Sequence, residues 1–294
     1  MQVLQGSLVA LVTPMLPNGD VDYSCLENLI DWHIGQGTDG IVSVGTTGES
    51  ATLNVKEHLD VIAFTVKHTN KRIPVIAGSG ANSTSEAIDL TKESKRLGAD
   101  FALIVTPYYN KPNQNGLIAH FSAIADAVDI DQILYNVPSR TACDLLPSSV
   151  SVLSKHENII GIKEASGDMD QAQQILKDCA SHIQVISGDD ALTLPMLLAG
   201  AVGTISVLGN ALPIPLKEMF HYVEIGNLKK AYALHYQLLD VINLIFEEGN
   251  PVGIKALMES MDYCEGTVRL PLIKATPSLK ERLQRALETS IFTL

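Results

Sequence analysis

The chain has 294 residues, of which 46% are apolar and 18% charged. That composition excludes disordered and collagen-like sequence and leaves room for one large α/β domain or two ordinary ones. A formal charge of −12 at pH 7 argues against non-specific nucleic-acid binding, which needs a basic face for phosphates, while an anionic substrate needs only a local cation.

Short, β-branched apolar runs alternate with longer amphipathic ones. Leu8–Thr13 is the first strand-like run, and Tyr23–Gln36 the helix-like run behind it. Gly40–Val44 and Val55–Thr69 follow, with Asn54 placed to cap the second helix. Pro74–Ala77 precedes Thr84–Leu97, which has hydroxyl caps in Ser83-Thr84-Ser85-Glu86 and a stop at Gly98. Phe101–Thr106 leads to Gly116–Val128, Gln132–Asn136 to Pro147–Lys155, and Ile159–Lys163 to Asp170–Cys179. Val185–Gly188 leads to Ala191–Ala199, and Gly203–Val207 to Pro215–Ile225. The strand-like runs are nearly continuous in apolar character, as strands buried on both faces of a parallel sheet are. Ala191 to Leu216 carries no charge, but Pro195, Gly200, Gly203, Gly209, Pro213 and Pro215 break it up, so it does not read as a membrane span.

Eight strand–helix units predict a closed (β/α)8 TIM barrel, a fold that takes about 250 residues. The other arrangement, a doubly wound sheet, is disfavoured. No GxGxxG follows the first strand, and Gly78-Ser79-Gly80-Ala81-Asn82-Ser83 lacks the third glycine. The expected division is a catalytic barrel over 1–224 and a helical C-terminal region over 225–294, with helices at Asn227–Glu248, Val252–Met261 and Ser278–Glu288.

Cys25, Cys143, Cys179 and Cys264 are widely spaced and form no CxxC, so reduced thiols in a cytoplasmic protein are expected. The first Lys or Arg is Lys56, and the positive region of a secretory signal is not seen. HExxH, Cys/His clusters and the P-loop pattern do not occur, so neither a metal nor an organic cofactor is expected.

In a barrel of this type, chemistry sits at the C-terminal ends of the strands. Lys163 ends the run Ile159-Ile160-Gly161-Ile162. Burying an unpaired ammonium is costly, and a neutral amine is a nucleophile that forms a Schiff base with a carbonyl. A lysine paired with neighbouring Glu164 is the competing reading. Tyr135 ends the preceding strand, where a phenol beside the amine could pass protons during imine formation. Gly45-Thr46-Thr47-Gly48-Glu49 offers close backbone approach and two hydroxyls, suited to the carboxylate of a small keto acid. Arg140 is a cation placed to bind a carboxylate through two parallel bonds.

Gly45-Thr46-Thr47-Gly48-Glu49-Ser50, Tyr135-Asn136-Val137-Pro138-Ser139-Arg140-Thr141 and Gly161-Ile162-Lys163-Glu164-Ala165-Ser166 resemble the signatures of the dihydrodipicolinate synthase family, within the pyruvate-dependent class I aldolases. The resemblance covers the whole chain. It implies a (β/α)8 barrel that condenses pyruvate with aspartate 4-semialdehyde in lysine and diaminopimelate biosynthesis. Lys163 would carry the pyruvate imine, with no separate cofactor. Tyr135 would donate and accept protons in a relay with Thr46 and with Tyr109 from a neighbouring subunit. Thr47 and the backbone of Ile205 would hold pyruvate, and Arg140 would meet the carboxylate of the semialdehyde.

The resemblance also implies a homotetramer built as a dimer of tight dimers. It implies inhibition by L-lysine at Ser50, Ala51, His58, Asn82, Glu86 and Tyr108, although Val55 stands where lysine-sensitive relatives often have histidine. Asn82 and Glu86 have an ordinary alternative as the cap of a helix start. Relatives on the same barrel include N-acetylneuraminate lyase and keto-deoxy sugar acid aldolases, from which Ser139-Arg140-Thr141 sets this chain apart. A non-catalytic small-molecule-binding barrel is the remaining alternative.

Overall fold

The computed structural model describes residues 4–289, so the outer limits of the two expected regions lie outside the described residues. Eight parallel strands close into one barrel in sequence order: β1 (Gly6–Ala10), β2 (Gly40–Ser43), β3 (Val75–Gly78), β4 (Phe101–Val105), β5 (Asp131–Asn136), β6 (Ile159–Glu164), β7 (Gln184–Ser187) and β8 (Gly203–Ser206), with β8 pairing back onto β1. This is the expected TIM barrel. The helices that cover it are α1 (Tyr23–Gly35), α2 (Val55–Thr69), α3 (Thr84–Leu97), α4 (Gln114–Ala127), α5 (Pro138–Thr141), α6 (Pro147–Leu153), α7 (Met169–Cys179), α8 (Thr193–Ala199) and α9 (Pro213–Glu224).

Local chemistry accounts for the boundaries. Asn54 caps α2 in a reciprocal box with Glu57, Ser83 caps α3, and Gly98 ends α3 in the left-handed region at φ 94°. The first strand differs from expectation because its apolar run outlasts its ladder. Beyond Ala10, the Val12 N–H donates to Asn210 Oδ1 at 2.9 Å and Thr13 Oγ1 donates to the Gly48 carbonyl at 2.7 Å. The expected helix at Ala191–Ala199 opens as a 3-10 turn over Asp190–Leu192 before α8 begins. The one-turn helix α5 carries Arg140 and was not foreseen.

The barrel interior is filled by side chains such as Leu8, Val42, Ile76, Phe101, Leu103, Ile133, Ile186 and Ile205. Three further helices follow: α10 (Leu228–Glu247), α11 (Val252–Ser260) and α12 (Pro277–Thr289). Leu238, Val241 and Ile242 of α10 and Ile254 of α11 share one apolar core with Val9, Leu11 and Val12 of the barrel. Among the described residues no helix is long and apolar enough to cross a membrane.

Candidate active site

A break in register decides where Lys163 points. Along β5 and β6, Gln132 lies opposite Ile159 but Ile133 lies opposite Gly161, so β6 carries one extra residue, Ile160. Ile159 and Ile162 pack outward against the helices, whereas Ile160 packs into the barrel. Strict alternation from Ile160 would have aimed Glu164 into the barrel and Lys163 away from it. Past the bulge the order reverses. Lys163, 4% exposed, turns inward, with its Nζ 4.3 Å from the ring centroid of Tyr135, its register partner on β5. Among the described residues the Lys163 amine has neither a hydrogen bond nor an ion pair.

Glu164 does not pair with it. The Glu164 carboxylate accepts from the Ser166 N–H at 2.7 Å and from Asn136 Nδ2 at 3.1 Å, and burial pushes its pKa upward. Gly188 makes room for the lysine, since a Cβ there would lie 2.7 Å from Lys163 Cε.

The loop after β2 is held from below. Val44 and Glu49 bracket it in the left-handed region, at φ 55° and 59°. Glu49 turns away from the barrel mouth: its carboxylate takes the Lys255 Nζ of α11 at 2.5 Å and the Arg269 N–H at 3.0 Å. Both side chains of that ion pair are fully buried, and Lys255 also donates to the Thr267 carbonyl at 2.8 Å. Burial pushes the Lys255 pKa down, against the pull of Glu49. Glu49 is thus the anchor of the loop, and Thr47 is the residue presented to the site.

Above Lys163 and Tyr135 lies a cavity of about 570 Å³, also lined by Thr47, Arg140, Asp189 and Glu247. A smaller, more apolar cavity of about 320 Å³ adjoins it, lined by Thr46, Ser50, Ala51 and Tyr108, with Val137, Arg140 and Asn250 shared between the two. Thr46 therefore faces the second cavity, and no hydrogen bond joins it to Tyr135 among the described residues. Ile205 is buried in the barrel interior in the same apolar cluster as Tyr135. Tyr109 reaches neither cavity of its own chain. It is 92% exposed at the centre of a three-residue turn, with φ 74° and the Asn110 N–H donating to the Tyr108 carbonyl at 2.9 Å.

Of the residues expected to bind lysine, Ser50, Ala51 and Tyr108 line the smaller cavity. His58 Nε2 is bonded to the Gly78 carbonyl at 2.7 Å, and burial holds its imidazole below the usual range against the pull of that bond and of the Glu86 charge. Asn82 does not cap α3: Ser83 does, and Asn82 Nδ2 donates instead to the Tyr108 carbonyl at 3.2 Å.

Two residues that support the site had no signal in the sequence. Asn250, 7% exposed, donates from Nδ2 to Thr47 Oγ1 at 3.0 Å, and its carbonyl accepts from Arg140 Nη2 at 3.3 Å. It couples the two groups expected to hold the substrates. Asp190 is fully buried, with its carboxylate accepting from the Val207 and Leu208 N–H groups at 3.0 Å each, and so fixes the chain beyond β8. Among the described residues no cluster of His, Cys, Asp and Glu is arranged to hold a metal.

Residues 3–290 match the sequence model of the dihydrodipicolinate synthetase family. A 4-hydroxy-tetrahydrodipicolinate synthase from Geobacter metallireducens is 49% identical over 281 residues, which span 96% of this chain and 97% of that one. The crystal structure of a chloride-inhibited dihydrodipicolinate synthase from Acinetobacter baumannii complexed with pyruvate superposes with a TM-score of 0.95 at 45% identity, covering 97% of this chain and 98% of the other. The enzyme from Cyanidioschyzon merolae with lysine bound superposes with a TM-score of 0.93 at 38% identity, covering 97% of both chains.

Proposed function

The chain belongs to the dihydrodipicolinate synthetase family, and we propose that it acts as a 4-hydroxy-tetrahydrodipicolinate synthase, a lyase of the class I aldolase type serving lysine and diaminopimelate biosynthesis. It joins pyruvate to L-aspartate 4-semialdehyde, with a covalent imine of pyruvate on Lys163 in place of a separate cofactor. The observation that carries this reading is the unpaired Lys163 amine over the Tyr135 ring, in a cavity that also holds Arg140.

The residues then have definite tasks. The Lys163 amine attacks the keto carbon of pyruvate, and water leaves as the imine forms. Tyr135 hands on the protons of that step. The protonated imine is an electron sink, so a proton leaves the pyruvate methyl and the resulting enamine attacks the aldehyde carbon. The aldehyde oxygen takes up a proton. The amine of the semialdehyde, once deprotonated, attacks the imine carbon, closes the ring and releases Lys163. Thr47, held by Asn250, orients the pyruvate carboxylate, and Arg140 the carboxylate of the semialdehyde. Thr46 and a partner's copy of Tyr109 complete the proton relay, and the exposed three-residue turn at Tyr109 supports that assignment. The chain works as a homotetramer, a dimer of tight dimers, in the cytoplasm, where its four free thiols are stable. L-lysine inhibits it at the smaller cavity beside Ser50, Ala51 and Tyr108.

The test is an aldehyde-choice assay that follows pyruvate loss with aspartate semialdehyde, N-acetylmannosamine or glyceraldehyde, alongside pyruvate trapping by borohydride. Turnover with the semialdehyde and a reduced pyruvyl adduct on Lys163 are expected. Trapping with preference for a sugar aldehyde would move the chain to a sister aldolase. Neither trapping nor turnover in folded protein would leave a binding barrel.

A further inference from the structure

We propose that Asn136 and Glu164 are positioning residues that hold Lys163 against Tyr135 from the outer face of the barrel. The inference rests on the activity proposed above. A one-residue slip of β6 would turn Lys163 out of the barrel and Glu164 into it. The lysine head does not resist such a slip, because its amine has no hydrogen bond or ion pair among the described residues. The restraint lies one residue further along both strands. Tyr135 and Lys163 are register partners on the inner face, and Asn136 and Glu164 are the next pair, on the outer face. Asn136 Nδ2 donates to Glu164 Oε2 at 3.1 Å, and Glu164 Oε1 accepts from the Ser166 N–H at 2.7 Å. The two side chains are 0% and 2% exposed, so the bond is shielded from water.

Glu164 has no cation beside it among the described residues, and a carboxylate buried without one is costly where an apolar side chain would simply pack. The cost is explained if the carboxylate marks which face of β6 turns outward. Asn136 extends the brace to the third site residue. Its Nδ2 also donates to Asp144 Oδ1 at 2.8 Å, which Gln171 Nε2 of α7 reaches at 3.0 Å, and its Oδ1 accepts from the Leu145 N–H at 2.9 Å. Asp144 and Leu145 follow α5, which carries Arg140. One buried amide therefore ties the strands of Lys163 and Tyr135 to the segment behind Arg140.

The test uses E164Q, N136A and the double variant, with borohydride trapping of pyruvate and a thermal melt on each. E164Q keeps the shape and the acceptor for Ser166, and takes a charge out of a buried site, so the fold should be retained. It sets an amide against the Asn136 amide, and trapping is expected to slow about 10- to 100-fold, the effect of misplacing a reacting atom by about 1 Å. In E164Q the loss should fall mainly on kcat/KM for pyruvate. In N136A kcat/KM for aspartate semialdehyde should fall as well, because the segment behind Arg140 is also released. The double variant should trap no more slowly than N136A alone, since both changes break the same bond. Trapping at the wild-type rate in E164Q, losses that only follow the folded fraction, or additive losses in the double variant would each overturn the brace while leaving the activity standing. Slowed trapping in E164Q of an enzyme that prefers a sugar aldehyde would support the brace and overturn the activity.

Discussion

At the scale of single residues, the site depends on what is absent beside Lys163 as much as on the lysine. A side chain at position 188 would occupy the space of the lysine stem, at 2.7 Å from Cε and 2.8 Å from Cγ. Both contacts are far inside van der Waals distance, so something must move. Lys163 is expected to give way, because Ala165 closes off the other direction at 2.8 Å. Gly188→Ala should therefore slow borohydride trapping of pyruvate at least tenfold, since misplacing a reacting atom by about 1 Å can cost on the order of 100-fold in rate. Circular dichroism should show the barrel retained. Trapping at the wild-type rate would mean that Lys163 is free to take another path to the substrate. Lys163 and Tyr135 were legible in the sequence because each is a polar residue closing an apolar run. Asn250 was not, because its partner Thr47 is 203 positions away in the chain and nothing local marks an asparagine between two helices as part of a barrel mouth.

Among elements, the link between the β2 loop and α11 joins the C-terminal helices to the active site. The Glu49–Lys255 pair is buried without exposure on either side, with Thr267 and Arg269 filling the remaining hydrogen bonds. Removing one member leaves a charge unmatched in the interior. Lys255→Met should lower unfolding stability by about 3–5 kcal/mol in urea titrations. It should also raise KM for pyruvate, because the loop that presents Thr47 loses its anchor. The double change Lys255→Met with Glu49→Gln should recover part of the stability. If the single change is as stable as the wild type, the pair does not hold the loop. The same scale shows why the inward aim of Lys163, rather than of Glu164, could not be read from strand periodicity beforehand. Both end an apolar run, and the choice between them rests on the bulge at Ile160, which strand periodicity alone does not reveal.

For the whole molecule, acid stability follows from groups buried neutral or held ionised. Burial pushes His33 down to about 3 and His120 down to about 4. The hydrogen bonds of Arg269 hold Glu57 down at about 2. Below pH 6.5 the unfolded chain binds protons that the folded imidazoles refuse, so stability is full above that pH and declines as it falls. His33 alone contributes a slope of up to about 1.4 kcal/mol per pH unit between 6.5 and about 3. Glu57 adds a loss between pH 4.5 and about 2. Thermal melts should show a falling midpoint below pH 6.5, and His33→Asn should flatten the upper part of that fall. An unchanged slope would locate the acid sensitivity elsewhere.

Assembly is the other property of the whole. If a partner's Tyr109 completes each site, Tyr109→Phe and Lys163→Ala, each poorly active alone, should complement on mixing after subunit exchange. Activity should return to about one quarter of wild type, because half the pairs are mixed and each mixed pair contains one complete site. No recovery in pairs shown by mass spectrometry to be mixed would place Tyr109 outside the partner's site.

The sequence by itself determined the eight-unit barrel, the helical C-terminal region and the strand ends bearing Lys163 and Tyr135. These follow from periodicity and punctuation, which act over a few residues and are written in local order. Tertiary structure decided which way Lys163 points, which carboxylate anchors a loop and which faces the cavity, and how Asn250 ties Thr47 to Arg140. Those outcomes depend on strand register and on contacts between distant segments, whose geometry exists only once the barrel has closed.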